Sequence, residues 1–293
     1  MTVSELRSTG VAPASQRPLD EEVDLFGLTH PGKVRPDNQD HFLVCTVHPQ
    51  VVVHATSLPD VAHLPLRGSR LATAVLVADG VGGNASGSDA ARIASEAVTR
   101  YVSSTLRSYH AAGAASDDEL WNGLHDAACQ AHDAVRAEAA SRADPKPMAT
   151  TLTLALAVWP WLYVVQVGDS RCYYWDGTTL HLMTRDQTVA QMLVDSGALA
   201  KERLDTSPLR HVLASAIGGG EATPVVSRIA MKRPAGVLLC SDGLTKHVTD
   251  DEIGAHFRSA RTTEELCRSL LELALDRGGT DNITIAGGMA PLH

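Results

Sequence analysis

Four apolar runs in this chain each carry an aspartate at one end. Asp79 closes LATAVLVADG, Asp169 follows WLYVVQVG, Asp242 follows GVLLCS, and Asp281 stands just before NITIAGG. A carboxylate at the edge of a buried strand loses hydration, which costs several kcal/mol per uncompensated ion. Four of them gathered at one place need a cation between them. The donors are all oxygen, which suits Mg²⁺ or Mn²⁺ over Zn²⁺. A carboxylate can bridge two such ions about 3.5–4 Å apart, and the pair can hold a shared hydroxide as nucleophile. Each Asp also has a small or turn-forming neighbour, in DGVGG, GDSR, SDGL and GTDN. One Asp-Gly after a strand is most often only a turn. Four at the ends of strongly apolar runs are harder to explain that way.

Near the start, RPDNQD adds two more groups. Arg35 offers a planar fork suited to a phosphate, and Asp40 opens a strand and could join the acidic set.

The chain has 293 residues, 44% of them hydrophobic and only 4% aromatic, so its core must be built from Val, Leu, Ile and Ala. The net charge of -9 argues against nucleic acid as a partner, because phosphate backbones need clustered Lys and Arg. Cys45, Cys129, Cys172, Cys240 and Cys267 are scattered with no CxxC pair, as in a reducing compartment. No apolar run reaches the roughly 20 residues of a membrane span, and the N-terminus lacks the apolar centre of a signal peptide. The expectation is a cytoplasmic protein with no membrane partner.

Residues 1–21 are rich in Ser, Thr, Pro and charge and read as a flexible tail. Strand-like runs begin at VDLFGLTH, HFLVCTV, QVVVHATS and RLATAVLVA, with SLPDVAHLPLRGS as an irregular loop. A helix is expected over Ser86–Ser108 with Ile93, Ala97 and Tyr101 on one face. A second begins at Ser116, with Glu119 completing a capping box and Leu120, Leu124, Ala128, Ala131 and Val135 as its stripe. TTLTLALAV, WLYVVQVG, RCYYWDG and TLHLM form a meander that turns on Asp176-Gly177. From Thr184 to Gly220 the periodicity breaks around a short helix, VAQMLVDSGAL. VVSRIAM and GVLLC return as strands. Helices opened by Thr249–Glu252 and Thr262–Glu265 follow, and NITIAGG is the last strand. Hairpin connections dominate, which predicts an α+β layered domain with antiparallel sheets inside and helices outside.

RPDNQD, VADGVGG, MATTL, VGDSR, TRDQT, LCSDGL and GGTDNIT, in this order, resemble the metal-dependent serine/threonine protein phosphatases of type 2C in their bacterial form. The likeness runs from about Val23 to Gly288. It implies a four-layer αββα sandwich over residues 22–293, two central antiparallel sheets flanked by helix pairs, with a metal centre at one end. It implies that Asp79 bridges two metals, that the Gly80 carbonyl binds the second, and that Asp242 and Asp281 are terminal ligands of the first. Asp169 would hold a third, weaker metal that Asp242 shares. Arg35 would grip the phosphate and Asp40 would hold metal-bound water. The stretch 184–220 matches a mobile flap that helps select substrates. Gln39 stands where some relatives have Glu, and Val81 where animal relatives have a candidate acid, His. The implied function is hydrolysis of phosphoserine and phosphothreonine by direct attack of a metal-bridging hydroxide. Its substrates would be phosphoproteins made by a serine/threonine kinase. The rival reading is a catalytically weak, phosphatase-like binding module.

Overall fold

The computed structural model describes residues 17–49, 69–82, 85–112, 117–142 and 147–291. The strand expected at QVVVHATS, most of the loop after it and the Ser116 cap lie outside them. In chain order the elements are β1 (Asp24–His30), β2 (His41–Val47), β3 (Ala72–Ala78), β4 (Gly80–Val81), α1 (Ala85–Ala112), α2 (Asp117–Ser141), β5 (Ala149–Thr150), β6 (Leu152–Val158), β7 (Trp161–Val167), β8 (Arg171–Trp175), β9 (Leu180–Leu182), α3 (Val189–Asp195), β10 (Val225–Ala230), β11 (Ala235–Cys240), α4 (Asp242–Thr245), α5 (Asp250–Ser259), α6 (Thr263–Asp276) and β12 (Ile283–Ala290).

Two five-stranded antiparallel sheets form the centre, in the orders β10-β7-β6-β3-β2 and β1-β12-β11-β8-β9; β4 and β5 make a small third ladder. The reason lies in side-chain alternation along each strand. In β3, Leu76 and Ala78 face the α1–α2 layer while Val75 and Val77 face the other sheet. In β7, Tyr163 and Val165 take the first role, Leu162 and Val164 the second. The second sheet mirrors this: Leu238 and Cys240 of β11 pack under α5 and α6, and Leu239 points between the sheets. Strands buried on both faces read as unbroken apolar runs, which is why these segments were legible. The expected αββα sandwich is the fold observed.

The helices differ from expectation in detail. The α2 stripe is as expected, with Leu120, Leu124, Ala128, Ala131 and Val135 all buried. In α1 the buried face is Ala90, Ala91, Ala94, Val98 and Val102, while Ile93, Ala97 and Tyr101 are only partly covered. Alanines let the helix lie close to the sheet, so the small residues turn inward and the larger Ile93 flanks them. Thr249 and Glu252 form the expected reciprocal cap of α5. At α6, Thr262 accepts from the Glu265 amide, but the Glu265 carboxylate turns back to the Arg261 amide instead. The β8–β9 hairpin turns on Gly177 and Thr178, one residue later than expected. Asp176 instead caps the turn, its Oδ1 accepting from the Thr178 and Thr179 amides.

Residues 17–22 lie against the body. Pro18 is buried, its carbonyl accepts from Arg70, and Arg70 also pairs with Asp20 at 3.2 Å. Among the described residues no helix is long and apolar enough to cross a membrane.

Candidate metal centre

The topology brings the carboxylates to one edge. β3 and β7 both flank β6 antiparallel, so they run in the same direction and end at the same edge on either side of β6, leading into Asp79 and Gly168-Asp169. In the other sheet β11 ends on Ser241-Asp242 where antiparallel β12 begins, just past Asp281. Asp40 precedes β2, whose first residue pairs with the last of β3. Hence Asp79, Asp169, Asp242 and Asp281 line one cleft with Arg35, Gln39, Gly80, Val81, His211, Lys246 and Asn282. The expected residues are therefore gathered, and Asp40 sits buried behind them. A separate apolar recess, lined by Thr73, Val75, Val237 and Met289, lies toward the other ends of β3 and β12 and carries no carboxylate.

The aspartates fall into two electrostatic classes. Asp40, Asp79 and Asp169 pair with no cation among the described residues. Burial pushes Asp40 up to about 6, with Asp242 adding repulsion against the hydrogen bonds of Ser241 and Thr284. Asp40 is only 3% exposed, and its Oδ1 is the one buried side-chain polar atom among the described residues with no partner. Burial and then the charges of Asp40 and Asp242 hold Asp79 well above the ordinary carboxylate range, although one side of it opens to the cleft. Asp169 is raised likewise, by burial and then by Asp242.

Asp242 and Asp281 are the second class. Lys246 Nζ lies 2.6 Å from Asp242 Oδ2 and 2.8 Å from Asp281 Oδ2. Arg35 clasps Asp281 with both arms, Nε to Oδ1 at 2.8 Å and Nη2 to Oδ2 at 2.9 Å. Burial would raise Asp281, but hydrogen bonds from Arg35 and Lys246 outweigh it and hold it below its ordinary value. Burial alone would lower Lys246, and Asp242 more than reverses this, so it remains a cation.

Supporting contacts hold each group in place. The Asp79 amide donates to Thr151 Oγ1 and the Asp79 carbonyl accepts from the Thr151 amide, both at 2.9 Å. Gly80 is required where it stands: an added Cβ would come within 2.5 Å of the Gly87 carbonyl. Asn282 clamps the Arg35 loop, donating to the carbonyls of Pro31 and Asp37 and accepting from the Gln39 amide. Arg171 pairs with Asp186 through two bonds of 2.8 and 3.0 Å beside Asp169. The sequence reading missed Lys246, Asn282, Thr151 and Asp186 as parts of the site. A signal existed for Lys246, because it lies four residues after Asp242 at the end of α4 and so shares its face. His211 also lies in the cleft, with Nδ1 4.0 Å from Asp242 Oδ2.

The donor set fits hard divalent cations. It is anionic and all oxygen, with an orphaned buried oxygen on Asp40 and two strongly desolvated neighbours that an ion would relieve. As arranged, no three His, Cys, Asp or Glu side chains among the described residues close on a common point, and Lys246 stands between two of them.

Comparison with known proteins agrees with this geometry. The family model for protein phosphatase 2C matches residues 62–276. The serine/threonine phosphatase stp of Listeria welshimeri is 31% identical over 212 residues, covering 72% of this chain and 82% of that protein. The serine/threonine protein phosphatase PstP of Mycobacterium tuberculosis is 33% identical over 222 residues, which is 74% of this chain and 40% of that longer protein. A crystal structure of the PstP catalytic domain with two manganese ions superposes with a TM-score of 0.68 at 26% identity, covering 92% of this chain and 99% of that one. With the motifs, the fold and the gathered carboxylates, these matches show that the chain belongs to the protein phosphatase 2C family.

Proposed function

We propose that this protein is a metal-dependent phosphatase that hydrolyses phosphoserine and phosphothreonine in proteins phosphorylated by a serine/threonine kinase. The observation that carries the reading is the convergence of five aspartates from both sheets on one edge, three of them without a cation. Relatives named as serine/threonine phosphatases and a neighbour holding two manganese ions support it. Asp79, the Gly80 carbonyl, Asp242 and Asp281 would hold two Mn²⁺ or Mg²⁺ ions, and Asp169 with Asp242 a weaker third. When bound, those ions would supply an acidified water for direct attack on phosphorus and positive charge for the phosphoryl oxygens.

The chain's own residues do the rest. Arg35 stands about half exposed at the mouth, so its fork can leave Asp281 and take two phosphoryl oxygens. Thr151 and Asn282 fix the backbone that carries Asp79 and the Arg35 loop, which keeps the site in one geometry. Asp40, with one oxygen free and buried, accepts a proton-bearing group placed beside Asp79. Val81 cannot donate a proton to the leaving oxygen. All five cysteines are free, which supports a cytoplasmic protein.

The test compares a phosphothreonine peptide, p-nitrophenyl phosphate and a phosphodiester, each with Mn²⁺ and with excess chelator. Release of phosphate from the two monoesters only with metal is expected. No turnover with any divalent ion would leave the binding-module reading, and preference for the diester would change the substrate class.

A further inference from the structure

Two of the carboxylates assigned above to the first metal are already paired with protein cations. Lys246 Nζ sits within hydrogen-bond distance of one oxygen each of Asp242 and Asp281. All three side chains are about one-fifth exposed, so solvent screens the contact only in part. Its position follows from local structure. Asp242 is the first residue of α4 and Lys246 the residue after its last, with the Lys246 amide donating to the Asp242 carbonyl at 2.9 Å. Four residues along a helix turn place the two side chains on one face. The Asp281 contact is tertiary, made where β12 enters the sheet beside α4.

Resting on the metal-centre reading, we propose that Lys246 is a built-in competitor for the divalent ion, closing the Asp242–Asp281 pair in the metal-free protein and yielding it on loading. Both carboxylates cannot keep an ammonium at these distances and also coordinate an ion with the same oxygens. Metal binding therefore includes the work of parting the lysine from both partners. The departure is feasible. A four-carbon stem is flexible, and Lys246 borders both the carboxylate cleft and an adjoining groove lined by Asp169, Arg171 and Asp186. The consequence is a higher threshold metal concentration than the acidic cluster alone would set, together with a metal-free state that does not fall apart by charge repulsion.

The experiment is a Mn²⁺ titration of the whole protein without substrate, following free Mn²⁺ by its electron paramagnetic resonance signal. Melting curves with and without Mn²⁺ accompany it. In Lys246→Gln and Lys246→Met one ion per chain should bind about tenfold tighter than in wild type. Their metal-free melting points should fall, and their Mn²⁺-induced rise should be larger. Lys246→Arg keeps the positive charge and should stay within about threefold of wild type. Unchanged or weaker binding in both neutral variants would overturn the proposal. So would equal tightening in Lys246→Arg, because charge would then not be the cause. If neither wild type nor the neutral variants take up Mn²⁺ while remaining folded, the metal-centre reading itself fails. Tight binding confined to the neutral variants would be the strongest form of the expected result.

Discussion

Ser241 donates its hydroxyl hydrogen to Asp40 Oδ2 at 2.7 Å, which ties the end of β11 in one sheet to the start of β2 in the other. The same hydroxyl accepts from the Thr284 amide at 3.0 Å, so one buried side chain joins three strands. Replacing Ser241 with Ala would strip Asp40 of this partner when its other oxygen already has none. Losing a buried hydrogen bond to a charged group should cost about 1–3 kcal/mol, read as a lower urea midpoint at pH 7. An unchanged midpoint would mean that Asp40 finds another donor.

Asp40 also makes the metal-free protein sensitive to pH. Its folded pKa of about 6 lies above the ordinary value, and Asp79 and Asp169 shift the same way. The native state then binds more protons than the unfolded chain between about pH 4 and 6, so stability falls as pH rises through that window. Asp281, held low, acts oppositely and only at lower pH. Asp40→Asn should flatten the slope and raise metal-free stability at pH 7 by on the order of 1–3 kcal/mol while lowering turnover. Equilibrium unfolding at pH 5 and 7 checks it; a slope as steep as wild type in the variant would assign the effect to the other aspartates.

Asp79→Asn and Asp242→Asn should each lower kcat by about a hundredfold or more, because the bridging and shared charges cannot be supplied by a neutral amide. Phosphopeptide turnover at saturating Mn²⁺ measures this. Near-wild-type rates in either variant would remove the basis of the proposed mechanism.

Arg35→Lys should raise KM for phosphopeptides by about tenfold, since an ammonium is a single point charge where the guanidinium offers a bidentate fork. Arg35 also holds Asp281, so the variant should load metal no less readily than wild type. A fall in kcat with KM unchanged would instead give Arg35 a role confined to the transition state.

Asn282→Ala should loosen the Arg35 loop by removing three hydrogen bonds at once. A loss of about 2–4 kcal/mol is expected, with a lower kcat/KM. Faster amide exchange at Gln39 would locate the effect; exchange as slow as in wild type would show that the loop is held by other contacts.

Much of this arrangement was readable along the chain. The unbroken runs of β3, β7 and β11 marked strands buried on both faces, and the aspartate that follows each marked the strand ends that meet at the cleft. The α2 stripe and the Thr249 cap were legible because both depend on residues three or four apart. The inward face of α1 was displaced because the packing distance to the sheet, not hydrophobicity, turned Ala94 and Val98 inward ahead of Ile93. The hairpin at Gly177 slipped by one because Asp176 satisfied two amides from outside the turn.

What the sequence determined by itself were the layers, the end of each strand that bears charge, and the types of ligand available. These follow from periodicity and from bonds between near neighbours. Apart from the local Asp242–Lys246 pair, which aspartates carry a cation and which are left without one was set by the tertiary structure. Arg35 and Asp281 are joined from opposite ends of the chain, and Asp40 and Ser241 across the two sheets. No local pattern records such pairs, because the stacking of the sheets sets which strand ends meet, and the low-dielectric edge they share sets how strongly each charge is felt.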